Sequence, residues 1–262
     1  MRVCNLSSGS TGNVTYIDTA QVKVLLDAGL SARDITNRLA MLHVLPEQID
    51  AILITHEHSD HIKGVDVLAS KYHIPVYVHT KGYWALVEKL KKSDQIEFVQ
   101  FDDMDFYIKD LKVTSFELSH DAEYCCGFSF LENTKKVSIL TDLGYTNSEV
   151  LSKIVGSTLV YLEANHDEEM LDKNENYPLL TKQRIKGNHG HLSNISAAKV
   201  IETLAKTGTK QVMLSHISRE NNTPELAYST ICKYLREHGI IEGENIKIAT
   251  TSIYPSYLFK ID

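Results

Sequence analysis

The sequence predicts an α/β protein in which two β-sheets pack face to face with helices on the outside. Three observations carry this. Strand-like segments precede helix-like ones, and that order runs through the chain twice. No linker or low-complexity stretch separates the halves, so residues 1–262 are expected to form a single domain. At 43% hydrophobic content, 262 residues can bury the core that such a sandwich needs.

The elements follow in order. Residues 14–18 and 22–27 read as a hairpin turning near Thr19-Ala20-Gln21. Ser31 caps a helix from Ala32 to about Leu42. Residues 51–55 are apolar and rich in β-branched side chains, the mark of a buried strand, and 62–69 read as helix. A strand at 75–78 and a helix at 82–92 come next. From 97 to 138 short alternating runs, among them 106–108 and 111–116, suggest a meander of antiparallel strands. Residues 137–141 and 158–162 read as strands around a helix at 148–155. Residues 171–190 are polar and basic and read as an irregular loop, of a length that is usually functional or mobile. A helix at 196–206 and a strand at 211–214 precede Thr223-Pro224, which opens a helix in cap-then-proline order that Gly239 ends. Strands at 246–250 and 257–259 close the chain.

Composition narrows the class. A formal charge of −7 argues against a general polyanion-binding surface, so any nucleic-acid contact must come from a local patch. Cys4, Cys125, Cys126 and Cys232 show no C-x-x-C spacing and no disulfide framework, which favours a reducing cytosol. The first residues are too polar for a signal peptide, and no apolar run approaches the roughly 20 residues of a membrane span. A soluble cytoplasmic protein without membrane association is expected.

The richest segment is His56-Glu57-His58-Ser59-Asp60-His61, placed where a strand ends and a helix begins. Residues two apart on an extended segment point the same way, so His56 and His58 can share a metal while the following turn aims Asp60 and His61 at another. Further ligand types close apolar strands: Asp27 after Leu25-Leu26, His120 after Leu118-Ser119, Asp142 after Leu140-Thr141 and His216 after Leu214-Ser215. A catalytic metal site draws its ligands from several strand ends and leaves room for water. Four strands that each end in His or Asp are more specific than any one of them.

In their order these segments resemble the five motifs of metallo-β-lactamase-fold hydrolases, from about Leu6 to about Ser218. Ser8-Gly9-Ser10-Thr11-Gly12-Asn13, Glu163-Ala164-Asn165-His166-Asp167, Gly190-His191-Leu192-Ser193-Asn194 and Leu214-Ser215-His216-Ile217-Ser218 look like the YycJ/WalJ-type exonuclease branch. That branch lies near tRNase Z and the phosphonate-pathway cyclic phosphodiesterase. The resemblance implies an αββα sandwich of two mixed β-sheets with helices on both outer faces. It implies two divalent metal ions, one on His56, His58 and His120 and one on Asp60, His61 and His216, bridged by Asp142. Zn²⁺ suits so imidazole-rich a set, with Mn²⁺ and Fe²⁺ as alternatives. Asp27 would orient a ligand histidine.

The implied chemistry is phosphodiester hydrolysis, with a hydroxide held between the two metals as nucleophile. Asp60 and His191 are the catalytic candidates, His191 as general acid. Ser193 and Asn194 open a helix whose N–H groups can hold a phosphate oxygen. Ser8, Ser10, Asn13, Asn165, His166 and Arg184 are further candidates for substrate contact, and the roles of Glu163, Asn165 and His166 stay open. Asp142 and His216 stand too close in sequence to enclose a β-CASP domain or a tRNA-clamping arm, which argues against RNA maturation. The resemblance therefore favours a 5′→3′ DNA exonuclease linked to mismatch repair, with DNA and repair proteins as partners. A small-molecule or cyclic phosphodiesterase is the alternative, ahead of a thioesterase or a non-catalytic metal-binding regulator. The oligomeric state is not addressed by the sequence.

Overall fold

Fourteen strands in two sheets and nine α-helices make up the described part of this computed structural model, residues 1–251 and 259–261. The first sheet holds β1 (Arg2–Ser7), β2 (Val14–Asp18), β3 (Lys23–Leu26), β4 (Ala51–Leu53), β5 (Val76–His79) and β6 (Phe98–Phe101) in that order. The second runs β7 (Phe106–Ile108), β8 (Leu111–Leu118), β9 (Cys125–Glu132), β10 (Lys135–Leu140), β11 (Leu159–Glu163), β12 (Gln211–Ser215) and β13 (Lys247–Thr250). A short β14 (Phe259–Lys260) adds antiparallel to β1. Both sheets are mixed. β1 to β3 pair antiparallel and β3 to β6 parallel. β7 to β10 pair antiparallel and β10 to β13 parallel.

Side-chain alternation explains the layering. On β3, Val24 and Leu26 join the cluster between the sheets, while Leu25 faces the outer cluster. On β11, Leu159 and Tyr161 point between the sheets, and Val160 and Leu162 point outward. Strands buried on both faces read as continuous apolar runs. Outside the first sheet lie α1 (Ala32–Met41), α2 (Ser59–Ile62), α3 (Val65–Tyr72) and α4 (Tyr83–Lys89), through Ile35, Leu39, Ile62, Leu68 and Leu86. α5 (Ser148–Ile154), α8 (Asn194–Lys206) and α9 (Pro224–Glu237) cover the second sheet through Ile154, Ile201 and Ile231. The expected αββα sandwich is the observed architecture. All four cysteines are free thiols. Among the described residues, no helix is long and apolar enough to cross a membrane.

Several elements differ from expectation. The loop at 171–190 holds α7 (Leu179–Lys186) and the end of α6 (Glu168–Lys173). Each buries one apolar side chain, Leu171 or Ile185, so neither shows a helical period. Asp167 caps α6 by accepting from the Glu169 and Met170 N–H groups. The meander begins only at β7, because β6 pairs parallel with β5 at the edge of the first sheet. Strand periodicity carries no information on pairing partner. β1 was not anticipated, although Val3, Cys4 and Leu6 are fully buried. Tyr257, at the start of the last expected strand, lies outside the described residues.

The parallel halves matter most for function. In open parallel sheets, ligand sites form beyond the carboxyl ends of the strands. Asp27, Asp142 and His216 directly follow, or lie one residue or so beyond, the ends of β3, β10 and β12.

Candidate metal centre

Three of the strand-end residues have left-handed backbones: Asp27 at φ 59°, Asp142 at φ 64° and His216 at φ 53°. Asp, Asn and His tolerate this region better than most residues, yet each such position costs about 1–3 kcal/mol. Strain repeated at three strand ends marks where the chain is forced to turn sharply toward one point. Glycine permits the close approach of two loops to that point. A Cβ on Gly29 would sit 1.6 Å from the Asp60 carbonyl oxygen, and one on Gly190 would sit 2.1 Å from that of Ile185.

The histidines converge in two groups. His56, His58 and His120 each place a ring nitrogen within 4.8 Å of the others. Their ring centroids are 4.6–5.2 Å apart and the rings are steeply inclined to one another. Asp60, His61 and His216 form a second group within the same limit. Asp142 lies between them, with Oδ2 3.2 Å from His61 Nε2 and Oδ1 3.5 Å from His216 Nε2 and 3.9 Å from His120 Nε2. The buried Nε2 atoms of His56 and His216 have no hydrogen-bond partner among the described residues. An orphaned buried nitrogen is costly, and a cation satisfies it. The donor set therefore fits two divalent cations.

Four of the five candidate ligand histidines, His56, His61, His120 and His216, make a hydrogen bond on the ring's other side. His61 Nδ1 lies 2.7 Å from Asp27 Oδ2, and the Thr55 N–H and hydroxyl also donate to Asp27, at 2.9 Å each. His56 Nδ1 lies 3.0 Å from the Thr55 hydroxyl and His120 Nδ1 3.3 Å from the Gly190 carbonyl. Such outer contacts fix tautomer and ring orientation. Glu163, at the end of β11, is fully buried and makes the densest set. Its Oε1 accepts from His191 Nδ1 at 2.7 Å and His216 Nδ1 at 2.9 Å. Its Oε2 accepts from the Leu143 N–H at 2.9 Å and the Leu192 N–H at 3.4 Å. Sequence reading left this residue open, yet the signal was there: Leu159–Leu162 is a fifth apolar strand ending in an acid. Thr55 and Asn222 were missed altogether.

The remaining candidates divide. Asn13 Nδ2 lies 3.0 Å from His61 Nε2 and 3.4 Å from Asp60 Oδ2, so Asn13 is at the centre. Ser8 and Asn165 hold the His216 backbone: the Ser8 hydroxyl accepts from the His216 N–H at 2.8 Å, and Asn165 Nδ2 donates to its carbonyl at 3.0 Å. Ser10 is exposed at a loop tip. Arg184 is exposed and pairs with Asp121, beside His120, at 2.6 Å. Ser193 caps α8 and donates to Glu168 at 2.8 Å. The Asn194 N–H donates to the His166 carbonyl at 2.9 Å and its side chain pairs with Asn222, so the donors of Asn194 are engaged within the protein. His166 is buried with Nδ1 unpartnered, and burial presses its pKa down to about 4.

Without metal, the neighbouring carboxylates favour the protonated form at His61, His191 and His216, while burial disfavours it at His56 and His120. Burial disfavours charge on His216, but Asp142 and Glu163 outweigh it and lift its pKa to about 9. Burial works against the Glu163 carboxylate, but His191 and His216 outweigh it and lower its pKa to about 2. The signs give a window. The raised His216 contributes stability fully below its ordinary value of 6.5 and loses it as pH rises through about 9. The depressed Glu163 contributes above 4.5 and loses it as pH falls through about 2. Burial holds His56, His120 and His166 below the ordinary histidine value, so their contribution is lost as pH falls below 6.5, and chelator-treated protein is expected to be most stable near 6.5 in urea melts run across pH. Protein loaded with metal, whose ligands must be deprotonated, shifts that optimum upward. A loaded protein with the same optimum as the chelated one counts against this ligand set.

This fold and ligand set define a metal-dependent hydrolase of the metallo-β-lactamase fold. The chain belongs to the beta-lactamase superfamily: residues 22–217 match the Beta-lactamase superfamily domain. It is 38% identical over 251 residues to the exodeoxyribonuclease WalJ of Streptococcus pneumoniae strain D39, covering 94% of this chain and 93% of that one. To the exodeoxyribonuclease YycJ of Bacillus anthracis it is 37% identical over 248 residues, covering 94% and 93%. Among solved structures, the metallo-beta-lactamase fold protein YhfI from Bacillus subtilis superposes with a TM-score of 0.75 at 13% identity, covering 99% of both chains.

Proposed function

We propose that this protein is a dinuclear-metal phosphodiesterase that shortens DNA from its 5′ end. The observation that carries the chemistry is His191. Its Nδ1 is held by buried Glu163, and its ring centroid lies 5.2 Å from that of His120 and 5.3 Å from that of His216. It therefore borders both ligand groups with its Nε2 left for substrate. DNA as the polymer is supported by near full-length similarity to two exodeoxyribonucleases.

When bound, the two cations supply Lewis-acid polarisation of the phosphate and of the attacking water. They would sit on His56, His58 and His120, and on Asp60, His61 and His216, with Asp142 shared between them. Zinc is the proposed metal, on the strength of five imidazoles. Asp60, with its side chain 26% exposed, is positioned to take the water's proton. His191 carries the proton for the leaving oxygen. Burial opposes its charge, but Glu163 raises its pKa above the ordinary value and keeps the proton in place. Asp27 holds His61 and Ser8 holds the backbone of His216. A cytoplasmic location and partnership with mismatch-repair proteins belong to the same proposal.

The test is digestion of 5′- and 3′-end-labelled DNA and RNA after chelation and after metal return. Metal-dependent loss of 5′ label from DNA first is expected. Hydrolysis of bis-p-nitrophenyl phosphate or cyclic nucleotides with DNA untouched overturns the reading in favour of a small-molecule phosphodiesterase. Within it, His191→Ala is expected to lower kcat by about 10²–10⁴ while metal content stays at the wild-type level. Full activity in that variant removes His191 from the mechanism.

A further inference from the structure

The surface beside the metal centre opens into a groove of about 430 Å³. His58 and Asp60 line it, so it is continuous with the centre, and Lys63 and Lys89 line it as well. Lys63 directly follows α2, and Lys89 is the last residue of α4. Both are exposed, and neither makes an ion pair among the described residues. Elsewhere on the surface Lys81, Lys109, Lys112, Arg184 and Lys186 pair with carboxylates, whereas exposed Lys199, Lys210 and Lys233 make no ion pair among the described residues, so it is the position of Lys63 and Lys89 beside the centre that sets them apart. The groove's acids are already engaged. Asp60 belongs to a cation ligand group, and Asp66 accepts from the Lys91 and Lys92 N–H groups at 3.0 Å each. That contact also holds the exposed Lys91 and Lys92 at the end of α4 close to the groove.

The opposite side of the centre differs. Beyond His120 lies a larger depression of about 550 Å³, lined by Asp103, Glu117, Glu123 and Glu149 with Lys153; Lys81 pairs with Asp103 and Glu117, and Glu123 and Glu149 make no ion pair among the described residues. A phosphate backbone is repelled by the second wall and attracted by the first. Asp66 keeps its charge, so with Asp60 turned to the cations the groove lining carries two lysines against one aspartate, which makes it the more basic of the two walls in a chain of net charge −7.

We infer that Lys63 and Lys89 form a phosphate track, gripping the backbone of the DNA strand as it leaves the metal centre past His58 and Asp60. The inference rests on the nuclease reading and extends it by giving the strand a path. Lysine contacts to phosphate position a strand without reading its sequence. The track therefore serves an enzyme that degrades any sequence.

The probe is a fluorescein-labelled single strand of about twenty nucleotides, bound at a series of salt concentrations and followed by anisotropy. For Lys63→Ala/Lys89→Ala, affinity is expected to fall about tenfold or more. The slope of log affinity against log salt is expected to shrink by about 0.7 for each lysine lost. KM for DNA rises while melting temperature and metal content match the wild type. Lys63→Glu/Lys89→Glu weakens binding further, and Lys153→Ala leaves it unchanged. Wild-type affinity and salt slope in the double alanine variant, with DNA still digested, overturn the track and leave the nuclease reading standing. Weakened binding in Lys153→Ala alone overturns it too, since the strand then runs through the acidic depression. A wild-type protein that neither binds nor cuts DNA overturns the nuclease reading and the track together.

Discussion

Asp142→Asn is expected to empty both cation sites and to lower kcat/KM on DNA by at least about 10³. The magnitude follows from position. Loss of an outer-sphere partner alone costs about 10–100-fold in affinity or activity. Asp142 stands within 3.9 Å of three candidate ligand nitrogens, on His61, His120 and His216, so both sites lose an anionic donor at once. Asparagine is the better replacement because it tolerates the left-handed backbone at this position, φ 64°, where alanine adds strain of its own. The variant also changes the metal-free protein. Burial opposes the Asp142 charge, but His216, His61 and His56 outweigh it and hold its pKa well below the usual carboxylate value. Its contribution is therefore present above pH 3.8 and lost as pH falls below it. Removing one member of a buried charge cluster costs about 3–5 kcal/mol. The loss should be greatest at mildly acidic pH, where His61 and His216 are charged, and smaller above pH 9, where His216 is neutral. Metal analysis and urea melts at the two pH values check both parts. A variant that keeps two metals per chain and digests DNA at the wild-type rate rules out the bridging assignment.

The candidate ligands that the fold brings together were legible in the sequence because each closes an apolar strand or lies in the 56–61 segment. Apolar runs and strand ends are local properties, and a local pattern survives in one dimension. What holds the ligands is not local. The Ser8 hydroxyl meets the His216 N–H across 208 residues, and Glu163 reaches His191 and His216 across 28 and 53. Asn222, a buried residue beside the N-cap of α9, donates to the carbonyls of Ala164 and Asn165 and pairs with Asn194. It clamps three site loops, yet in sequence it is one more asparagine before a helix. The basic groove was illegible for the same reason. Lys63 and Lys89 are ordinary surface lysines at the ends of two helices until the fold places both beside Asp60. Helices α6 and α7 escaped notice for a different cause, since one buried side chain each cannot set up a period.

Glu163→Gln is the other substitution with a large expected effect, and it separates the acid from the metals. As a carboxylate, Glu163 accepts four N–H groups, two on each oxygen. Glutamine keeps one acceptor oxygen and turns the other position into a donor. Turned toward Leu143 and Leu192, the NH₂ faces two backbone N–H donors; turned toward His191 and His216, it forces their protons onto Nε2, which takes His216 Nε2 out of cation binding. A buried donor left unsatisfied costs about 1–3 kcal/mol, so the variant should melt lower by about that amount. Two functional losses follow from the two histidines. With His216 no longer held, affinity for the cation on Asp60, His61 and His216 falls about 10–100-fold, while the cation on His56, His58 and His120 is retained. With His191 no longer held or kept protonated, kcat falls even at saturating metal, by about the 10²–10⁴ expected of a lost general acid. A double-mutant cycle divides the two. In Glu163→Gln/His191→Ala the kcat loss should be close to that of His191→Ala alone, because both changes remove the same proton donor. The metal loss should persist, because it runs through His216. Fully additive kcat effects mean that Glu163 does not act through His191. Unchanged metal affinity in the single variant means that His216 does not depend on it.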